Sequence, residues 1–384
     1  MTRLYILVFV TALGCFFSGC SPDSPENEMK SGISAFGKKD YSEAIERLTS
    51  AAVEIKDSTA LFYTLGLSHL YQGDMEKALD ALEKTVNLNP SHYEALTCLG
   101  QIAYYKNDLE DARKGFGMAL KLVDDPRKKA VLYTSMALVE SGLRNDGLAR
   151  LYLIQAMQSD RSYAPALYNL GSLYRDKFKF NQEALDCFVQ YAQLANQDDT
   201  HFDKAKKHIE RLRNNVERTI KKPVLTRDAV AASEHLGKGV VFQAQKKYSD
   251  AIKEYDAALK ADPLAFSAAY GKAMAYQKMK KSLEALAAFK EAIAINPDHQ
   301  DSYIRAVTIS MELKRYSNAA RLLDKAIARN PRYSSYYDLM TRILYEQTRF
   351  PEAREYGYFY LSLLKTNDKG RAEYEKWVRA LPES

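Results

Sequence analysis

The sequence predicts an all-α solenoid of about nine helix-turn-helix units, with a long connecting helix and a C-terminal capping helix. The main observation is a recurring alanine, because five of the eight intervals between successive copies are 34 residues long. In the clearest units a small residue stands twelve positions before this alanine and a bulky apolar residue four positions after it. The recurring alanines are Ala44, Ala78, Ala112, Ala149, Ala184, Ala251, Ala285, Ala319 and Ala353. Prolines that would end the second helix of a unit share one phase: Pro90, Pro263, Pro297 and Pro331.

The stretch that begins at Gly66, GLSHLYQGDMEKALDALEKTVNLNP, resembles the tetratricopeptide repeat. The resemblance covers nearly everything from about residue 28 to 366, and it implies a tetratricopeptide-repeat superhelix, or α-solenoid. The residues agree with this expectation. Small side chains at Gly66 and Ala78 let two helix backbones approach closely, and Leu82 fills the wider gap one turn further on. Gly357 stands where a bulky residue belongs, so we expect the last unit to pack less closely.

The chain begins with an apolar run from Leu4 to Phe17, preceded by a single basic residue, Arg3. As a helix this run would span only about 21 Å, which is short of the hydrocarbon core but typical of a secretory signal. Ser18-Gly19-Cys20 resembles the lipobox of bacterial lipoproteins, which implies that Cys20 is diacylated and becomes the mature N-terminus. Two acyl chains suffice for stable anchoring. The alternative is an ordinary cleaved signal with an incidental cysteine at position 20.

These observations predict a lipoprotein signal peptide over residues 1–19 and a flexible tether over residues 20–27. Ser21 after the cysteine favours the outer membrane in the enteric sorting pattern. We therefore expect a lipid-anchored protein of the cell envelope, on the periplasmic face of the outer membrane. Export argues against a nucleic-acid partner, and the formal net charge of +6 is spread along the chain rather than gathered in one run. Of the four cysteines, Cys98 and Cys187 are expected to pack as small hydrophobic residues.

The array is interrupted between Ala184 and Ala251, where the interval is one residue short of two periods. We predict five repeats over 28–197, a connecting amphipathic helix and linker over 198–228, and four repeats over 229–366. The connecting helix has Phe202, Ala205, Ile209, Leu212, Val216 and Ile220 at helical spacing, and Pro223 would end it.

Eight Lys and Arg residues occur between Lys204 and Lys222, against two Glu, on the outer side of the connecting helix. They indicate either contact with anionic lipid or an acidic partner, or simply a solvated helix face. A capping helix is predicted over 367–384, because Tyr374, Trp377, Val378 and Leu381 follow helical spacing. Trp377 is assigned to this cap, with a binding role as the alternative.

The sequence offers no catalytic or metal-binding pattern. The six histidines are scattered without the spacing of a zinc site, and neither a Gly-x-Ser-x-Gly elbow nor a phosphate-binding glycine loop occurs. We therefore predict a protein that is not an enzyme and needs no metal or cofactor.

A solenoid instead offers a surface, and the first helices of its units are expected to line a concave groove that binds proteins or peptides. The side of each first helix that points away from its partner helix carries many tyrosines, which are enriched at protein interfaces. The candidate groove residues are Tyr63, Tyr71, Gln101, Tyr105, Tyr168, Arg175, Tyr270, Gln277, Lys278, Arg342 and Tyr345. The alternative for any one tyrosine is packing between repeats.

Three functions fit this reading of the sequence. The first is a membrane-anchored scaffold for protein-protein interactions in the bacterial envelope. The second is a dedicated subunit of an envelope assembly machine, similar to the repeat lipoproteins of outer-membrane protein or pilus secretin assembly. The third is an adaptor that recruits an envelope hydrolase.

Overall fold

The computed structural model describes residues 24–220 and 228–382, and these contain twenty α-helices and no strand. Cys20 and Pro223, on which two of the predictions depend, lie outside the described residues. Within the described residues no helix is both long and apolar enough to cross a membrane. The contacts divide the chain into two compact units, the first ending at Asn169 and the second beginning at Leu170. The domain boundaries drawn from the sequence stay predictions.

Helices of the first unit pair in chain order into four hairpins. The helices are α1 Pro25–Gly37, α2 Tyr41–Ala51, α3 Thr59–Gln72, α4 Met75–Leu88, α5 Tyr93–Tyr105, α6 Leu109–Leu122, α7 Pro126–Gly142 and α8 Asp146–Ser159. Side chains of Ser or Asp accept a hydrogen bond from a backbone N–H in the first turn of most of these helices, as Ser58 does at α3 and Asp74 at α4.

The division between the units falls within α9, Ala164–Leu173, and the second unit continues with a π-helical segment, Tyr174–Phe178. After it come α10 Asn181–Leu194, α11 Phe202–Ile220, α12 Ala229–Ala244, α13 Tyr248–Ala261, α14 Phe266–Lys278, α15 Ser282–Ile295, α16 Gln300–Glu312, α17 Tyr316–Arg329, α18 Ser334–Glu346, α19 Phe350–Leu363 and α20 Arg371–Arg379. Helices α12 to α19 form four hairpins, while α11 packs on α10 and α20 packs on α19. The long connecting helix and the capping helix are thus both present.

The recurring alanine is buried in every unit where the two helices pack together. All nine copies are at most 1% exposed. A Cβ atom added to Gly66 would lie 2.8 Å from Cγ of Leu82, and one added to Gly100 would lie 2.9 Å from Cδ1 of Phe116. The prediction that small residues allow close packing of the helix backbones is confirmed.

The turns of the eight hairpins, and the turn between the π-helical segment and α10, each contain one residue in the left-handed region, five positions before the recurring alanine. These residues are Lys39, Gly73, Asn107, Arg144, Lys179, Lys246, Lys280, Lys314 and Thr348, with φ between 56° and 87°. The left-handed conformation costs an L-residue with a Cβ atom about 1–2 kcal/mol. Because eight of the nine described turns lack glycine, helix packing rather than the local residue imposes the turn.

The intervals that depart from 34 residues have visible structural causes. The interval of 37 residues before Ala149 coincides with α7, whose 17 residues make it longer than the other first helices. The interval of 35 residues before Ala184 includes the π-helical segment, which accommodates one extra residue without breaking the helix. The period is therefore a property of the packing surfaces, and insertions are absorbed between them.

The expectation that Gly357 makes the last hairpin pack less closely is wrong. A Cβ atom added to Gly357 would lie 2.6 Å from Cγ2 of Val378, a residue of α20. Val378 and Ala353 are fully buried. The cap therefore fills the space that the missing bulky side chain leaves, an arrangement that pattern matching within one repeat does not reveal.

Both cysteines of the described chain are free and buried, as predicted. Burial raises the pKa of the Cys98 and Cys187 thiols to about 12, so both remain protonated and act as small apolar side chains.

Candidate binding surface

The first helices of successive hairpins form one surface in each unit, which we call the first-helix face. In the first unit it is made by α1, α3, α5 and α7, and in the second unit by α12, α14, α16 and α18. Equivalent positions can be matched by counting from the small residue of each first helix. On this count Tyr63 of α3 corresponds to Tyr270 of α14, and His92 before α5 corresponds to His299 before α16.

In the first unit Tyr63 lies in largely apolar surroundings. Its ring packs 4.5 Å from the ring of His92, centre to centre, and it joins Leu70 against a cluster that includes Cys98. Its hydroxyl group is buried and has no hydrogen-bond partner among the described residues. Burial also raises the pKa of Tyr63 strongly. Tyr63 therefore contributes to packing between two hairpins as well as to the face.

The exposed part of this face carries stacked aromatic rings. Tyr71 is 39% exposed, and its ring stacks on Tyr41 at 4.7 Å with an interplanar angle of 7°. Phe36 adds a third ring 5.9 Å from Tyr71. One repeat further along, Tyr105 is 47% exposed and meets Tyr104 edge to face at 6.4 Å. Rigid rings with apolar faces and polar rims are thus available for contact with a partner.

In the second unit the corresponding tyrosine belongs to a polar network. The Tyr270 hydroxyl donates to a carboxylate oxygen of Asp301, and Arg305 donates from Nε to the same oxygen at 2.5 Å. Arg305 also donates from an amino group to Oε1 of Gln277 at 3.1 Å. Burial opposes ionisation of Asp301, but the hydrogen bonds from Tyr270 and Arg305 together with nearby positive charge outweigh it and lower the pKa of this carboxyl group. His299 packs on Tyr270 at 5.0 Å, as His92 packs on Tyr63.

In the last hairpin, the first helix, α18, also carries a charged pair, and its C-terminal end contacts the capping helix. Nε of Arg342 donates to both carboxylate oxygens of Asp338, at 3.0 and 3.2 Å. Tyr345 is 41% exposed, and its ring lies 5.7 Å from the ring of Trp377. Trp377 is half-buried and also packs on Tyr374 at 5.2 Å, so the structure places it within the cap.

The remaining candidates are distributed over α5, α9, the π-helical segment and α14. Gln101 is half-buried on α5, and Lys278 is exposed as the last residue of α14. Tyr168 is half-buried in the last turns of the first unit. Arg175 lies in the π-helical segment, where it donates to Asp176 from Nε at 2.7 Å and from an amino group at 2.6 Å.

Counting only the positions opposite the partner helix missed several residues of the face. Asp301 and Arg305 lie to the side of the counted stripe, where a first helix meets the first helix of the next hairpin. His92 and His299 precede their helices as N-caps, so they fall outside a helical pattern. Both histidines stand at the same distance before the small-residue position of their units, and this shared spacing could have identified them from the sequence.

Within the described residues, no group of three or more His, Cys, Asp or Glu side chains is arranged to hold a metal ion. The prediction that the protein is not an enzyme stays a prediction.

Comparison with known proteins identifies the repeats. Family models described as tetratricopeptide repeat match residues 63–124, 236–302 and 280–343. Among curated proteins, a photosystem I assembly protein Ycf3 of Acaryochloris marina is 33% identical over 100 residues, which are 23% of this chain and 60% of that protein. A probable UDP-N-acetylglucosamine–peptide N-acetylglucosaminyltransferase SPINDLY of Hordeum vulgare is 29% identical over 123 residues, 30% of this chain and 13% of that protein. This chain thus spans 60% or less of the length of these two relatives.

Solved structures match this chain at low sequence identity and with TM-scores below 0.5. The C-terminal part of a repeat protein from Cytophaga hutchinsonii is 15% identical, with 72% of this chain and 98% of that chain covered and a TM-score of 0.44. The MamA protein is 19% identical, with 45% and 92% covered and a TM-score of 0.41. The matched family models fall in both units, so both units of this chain contain tetratricopeptide repeats.

Proposed function

We propose that this chain is a lipid-anchored scaffold of the bacterial cell envelope, which holds partner proteins or peptides on its first-helix faces. The observation that carries the proposal is the pair of exposed tyrosines on the first unit, Tyr71 and Tyr105, which occupy equivalent positions in neighbouring hairpins. Exposed aromatic side chains are enriched in binding hot spots, and singly scattered surface residues do not recur at one repeat position. The tetratricopeptide repeats are consistent with such a scaffold.

The anchor rests on the sequence from Leu4 to Cys20. Replacing Cys20 with Ser removes the thiol that would carry the diacylglycerol. We expect the variant to lose acyl labelling and to leave the membrane pellet. Continued labelling, or unchanged membrane retention, would contradict the lipid anchor and leave the scaffold proposal standing.

The scaffold is tested by recovering partners from detergent-solubilised membranes. We expect the double variant Tyr71→Ala/Tyr105→Ala to lose bound partners, since truncating a hot-spot residue costs about 2 kcal/mol or more of binding free energy. The matched control is Met118→Ala/Leu122→Ala on α6, where both side chains are exposed to a similar extent but lie on a second helix. Equal recovery by both double variants, with unchanged folding, would place the binding surface elsewhere.

The same recovery experiment separates the candidate functions. A scaffold yields several partners, a subunit of an assembly machine yields one complex of fixed stoichiometry, and an adaptor yields a hydrolase. The Ycf3 relatives are named as assembly proteins, which fits the second candidate. The transferase named among the relatives is matched over 13% of its length, so its activity is not carried over to this chain.

A further inference from the structure

Helix α11 has a strongly basic outer side. Five side chains along it are exposed and positively charged: Lys204, Lys206, Lys207, Arg211 and Arg213. Only Asp203 and Glu210 contribute negative charge among the exposed side chains from 203 to 216. At 100° per residue, Lys207 lies at the crest of the outer side, with Lys204 and Arg211 on one flank and Lys206 and Arg213 on the other. Lys204, Lys207 and Arg211 therefore form a basic strip along the crest and one flank, whereas Asp203 and Glu210 lie between the crest and the other flank.

The inner side of α11 is already occupied. Phe202, Ala205 and Leu212 are buried, and α11 packs against α10. His208 belongs to this contact, with its ring 5.0 Å from that of Phe188. Burial first, and then the charge of Arg175, lowers the pKa of His208, so this side chain adds no charge at neutral pH. From residue 203 to 216 the exposed side chains of α11 are all polar or charged, so this part of the helix presents a polar surface to a bilayer.

Some exposed lysines on other helices are held in ion pairs, and the described cations of α11 are not among them. Lys77, Lys114 and Lys253 each form an ion pair one turn back in their helices, at 3.0, 2.7 and 3.0 Å from Asp74, Asp111 and Asp250. Across the described ranges, Lys204, Lys207, Arg211 and Arg213 form no ion pair, and Lys206 lies 4.5 Å over the ring of Phe202. Unpaired cations of one sign on one surface attract a polyanion without first breaking an existing pair.

We propose that the outer side of α11 binds an anionic phospholipid surface by electrostatic attraction alone. Three of the five cations are lysines, which act as point charges and do not need the fixed bidentate geometry that a protein carboxylate offers to arginine. Because Lys204, Lys207 and Arg211 lie along one strip of the helix surface, they can contact mobile head groups of a membrane plane together. The proposed lipid anchor supplies the nearby membrane, and to that extent the inference rests on the proposed function. The contact itself does not require the anchor.

The test uses the whole chain with Cys20→Ser, so that acylation cannot account for binding, and vesicles sedimented after mixing. We expect binding to vesicles of phosphatidylcholine with about 30% phosphatidylglycerol, no binding to pure phosphatidylcholine, and release as salt shortens the screening length. In the same background, Lys204→Glu, Lys207→Glu and Arg211→Glu together should weaken binding at least about a hundredfold, because each basic residue near an anionic surface contributes about 1 kcal/mol.

The control carries the same change in net charge at three exposed lysines on second helices: Lys121→Glu, Lys260→Glu and Lys290→Glu. We expect it to retain most of the binding, and matching circular dichroism melts for the two triple variants exclude unfolding. Equal loss in both variants, or no preference for phosphatidylglycerol, would overturn the proposal. Retention on immobilised poly-glutamate without vesicle binding would also overturn it and assign the surface to an acidic protein. Acyl labelling of the unmodified chain reports separately on the anchor.

Discussion

The two units use one backbone plan to present different chemistry at equivalent positions. Tyr63 and Tyr270 occupy the same place, each with a histidine ring packed against it. Beside Tyr63 the next hairpin supplies the buried Cys98, whereas beside Tyr270 it supplies Arg305, which bonds Asp301. The difference arises from side chains that the repeat pattern does not constrain. The lesson is that the repeat fixes the backbone and leaves the character of each face to a few variable positions.

This comparison has a consequence for binding. The first unit presents rings, such as Tyr71 and Tyr105, whose contact with a partner depends on removing apolar surface from water. The second unit presents charges that are already paired, as Arg342 is with Asp338. We expect partners of the first unit to tolerate salt and partners of the second unit to respond to it, because salt screens interactions between exposed charges.

The largest effect is expected when the residues that distinguish the sites around Tyr63 and Tyr270 are exchanged. Cys98 is 3% exposed, so Cys98→Arg places a charge in an apolar contact and should lower the free energy of unfolding by about 3 kcal/mol or more. The reverse exchange, Arg305→Cys, removes a part-exposed hydrogen-bonded side chain and should cost about 1 kcal/mol. Urea unfolding followed by circular dichroism measures both values. Equal costs would mean that the two sites do not differ in polarity.

A second test addresses the backbone plan that the units share. Ala285 is fully buried where two helices approach, so Ala285→Leu should lower the free energy of unfolding by about 1–3 kcal/mol. Ala287→Leu, at an exposed position of the same helix, serves as the control and should change it by less than about 0.5 kcal/mol. Thermal melts that cannot distinguish the two variants would show that the assigned phase of the repeat is wrong.

Much of the architecture could be predicted from the sequence, for a physical reason. Helix packing at Gly66, Gly100 and the recurring alanines tolerates only small side chains. The sequence therefore shows these contacts as small residues at a regular spacing. The filling of Gly357 by Val378 could not be predicted in the same way, because it joins the last hairpin to a helix outside the repeat.

The candidate surface was less predictable than the fold. A tyrosine at one repeat position packs or faces solvent according to its neighbours in the next hairpin, and those neighbours vary. Tyr63 and Tyr71 stand on the same helix and were assigned the same role, yet the hydroxyl of Tyr63 is buried and Tyr71 is 39% exposed. The network of Asp301 and Arg305 depends on side-chain reach between helices, which helical spacing within one repeat does not report.

A smaller difference in stability is expected when the hydroxyl group is removed from each of the two equivalent tyrosines, Tyr63 and Tyr270. Tyr270→Phe removes a hydrogen bond to a carboxylate and should cost about 1 kcal/mol of stability. Tyr63→Phe removes a buried hydroxyl group that has no partner among the described residues. This change should leave the free energy of unfolding unchanged or raise it by roughly 0.3 kcal/mol. Paired urea denaturation of the two variants measures the difference. A larger loss for Tyr63→Phe than for Tyr270→Phe would reverse the polarity assigned to the two sites.

The smallest expected effect concerns the hairpin turns. Thr348 has φ of 59°, which is unfavourable for a β-branched residue, whereas the equivalent residue of the second hairpin is Gly73. Thr348→Gly should raise stability by about 0.5–1 kcal/mol, the relief of strain being partly offset by the entropy of glycine in the unfolded chain. Gly73→Thr should lower stability by a similar amount. An unchanged or lower melting temperature for Thr348→Gly would mean that packing has already relieved the strain.

The most direct test of the central claim, that the first-helix faces hold the partners, is site-specific photo-crosslinking in intact cells. A photoreactive phenylalanine analogue is placed at Tyr105 on the first-helix face and, as the control, at Met118 on α6; the two native side chains are 47% and 45% exposed. We predict discrete crosslinked partners from position 105 and only background from position 118. Equal crosslinking from the two positions, or stronger crosslinking from position 118, would contradict the claim.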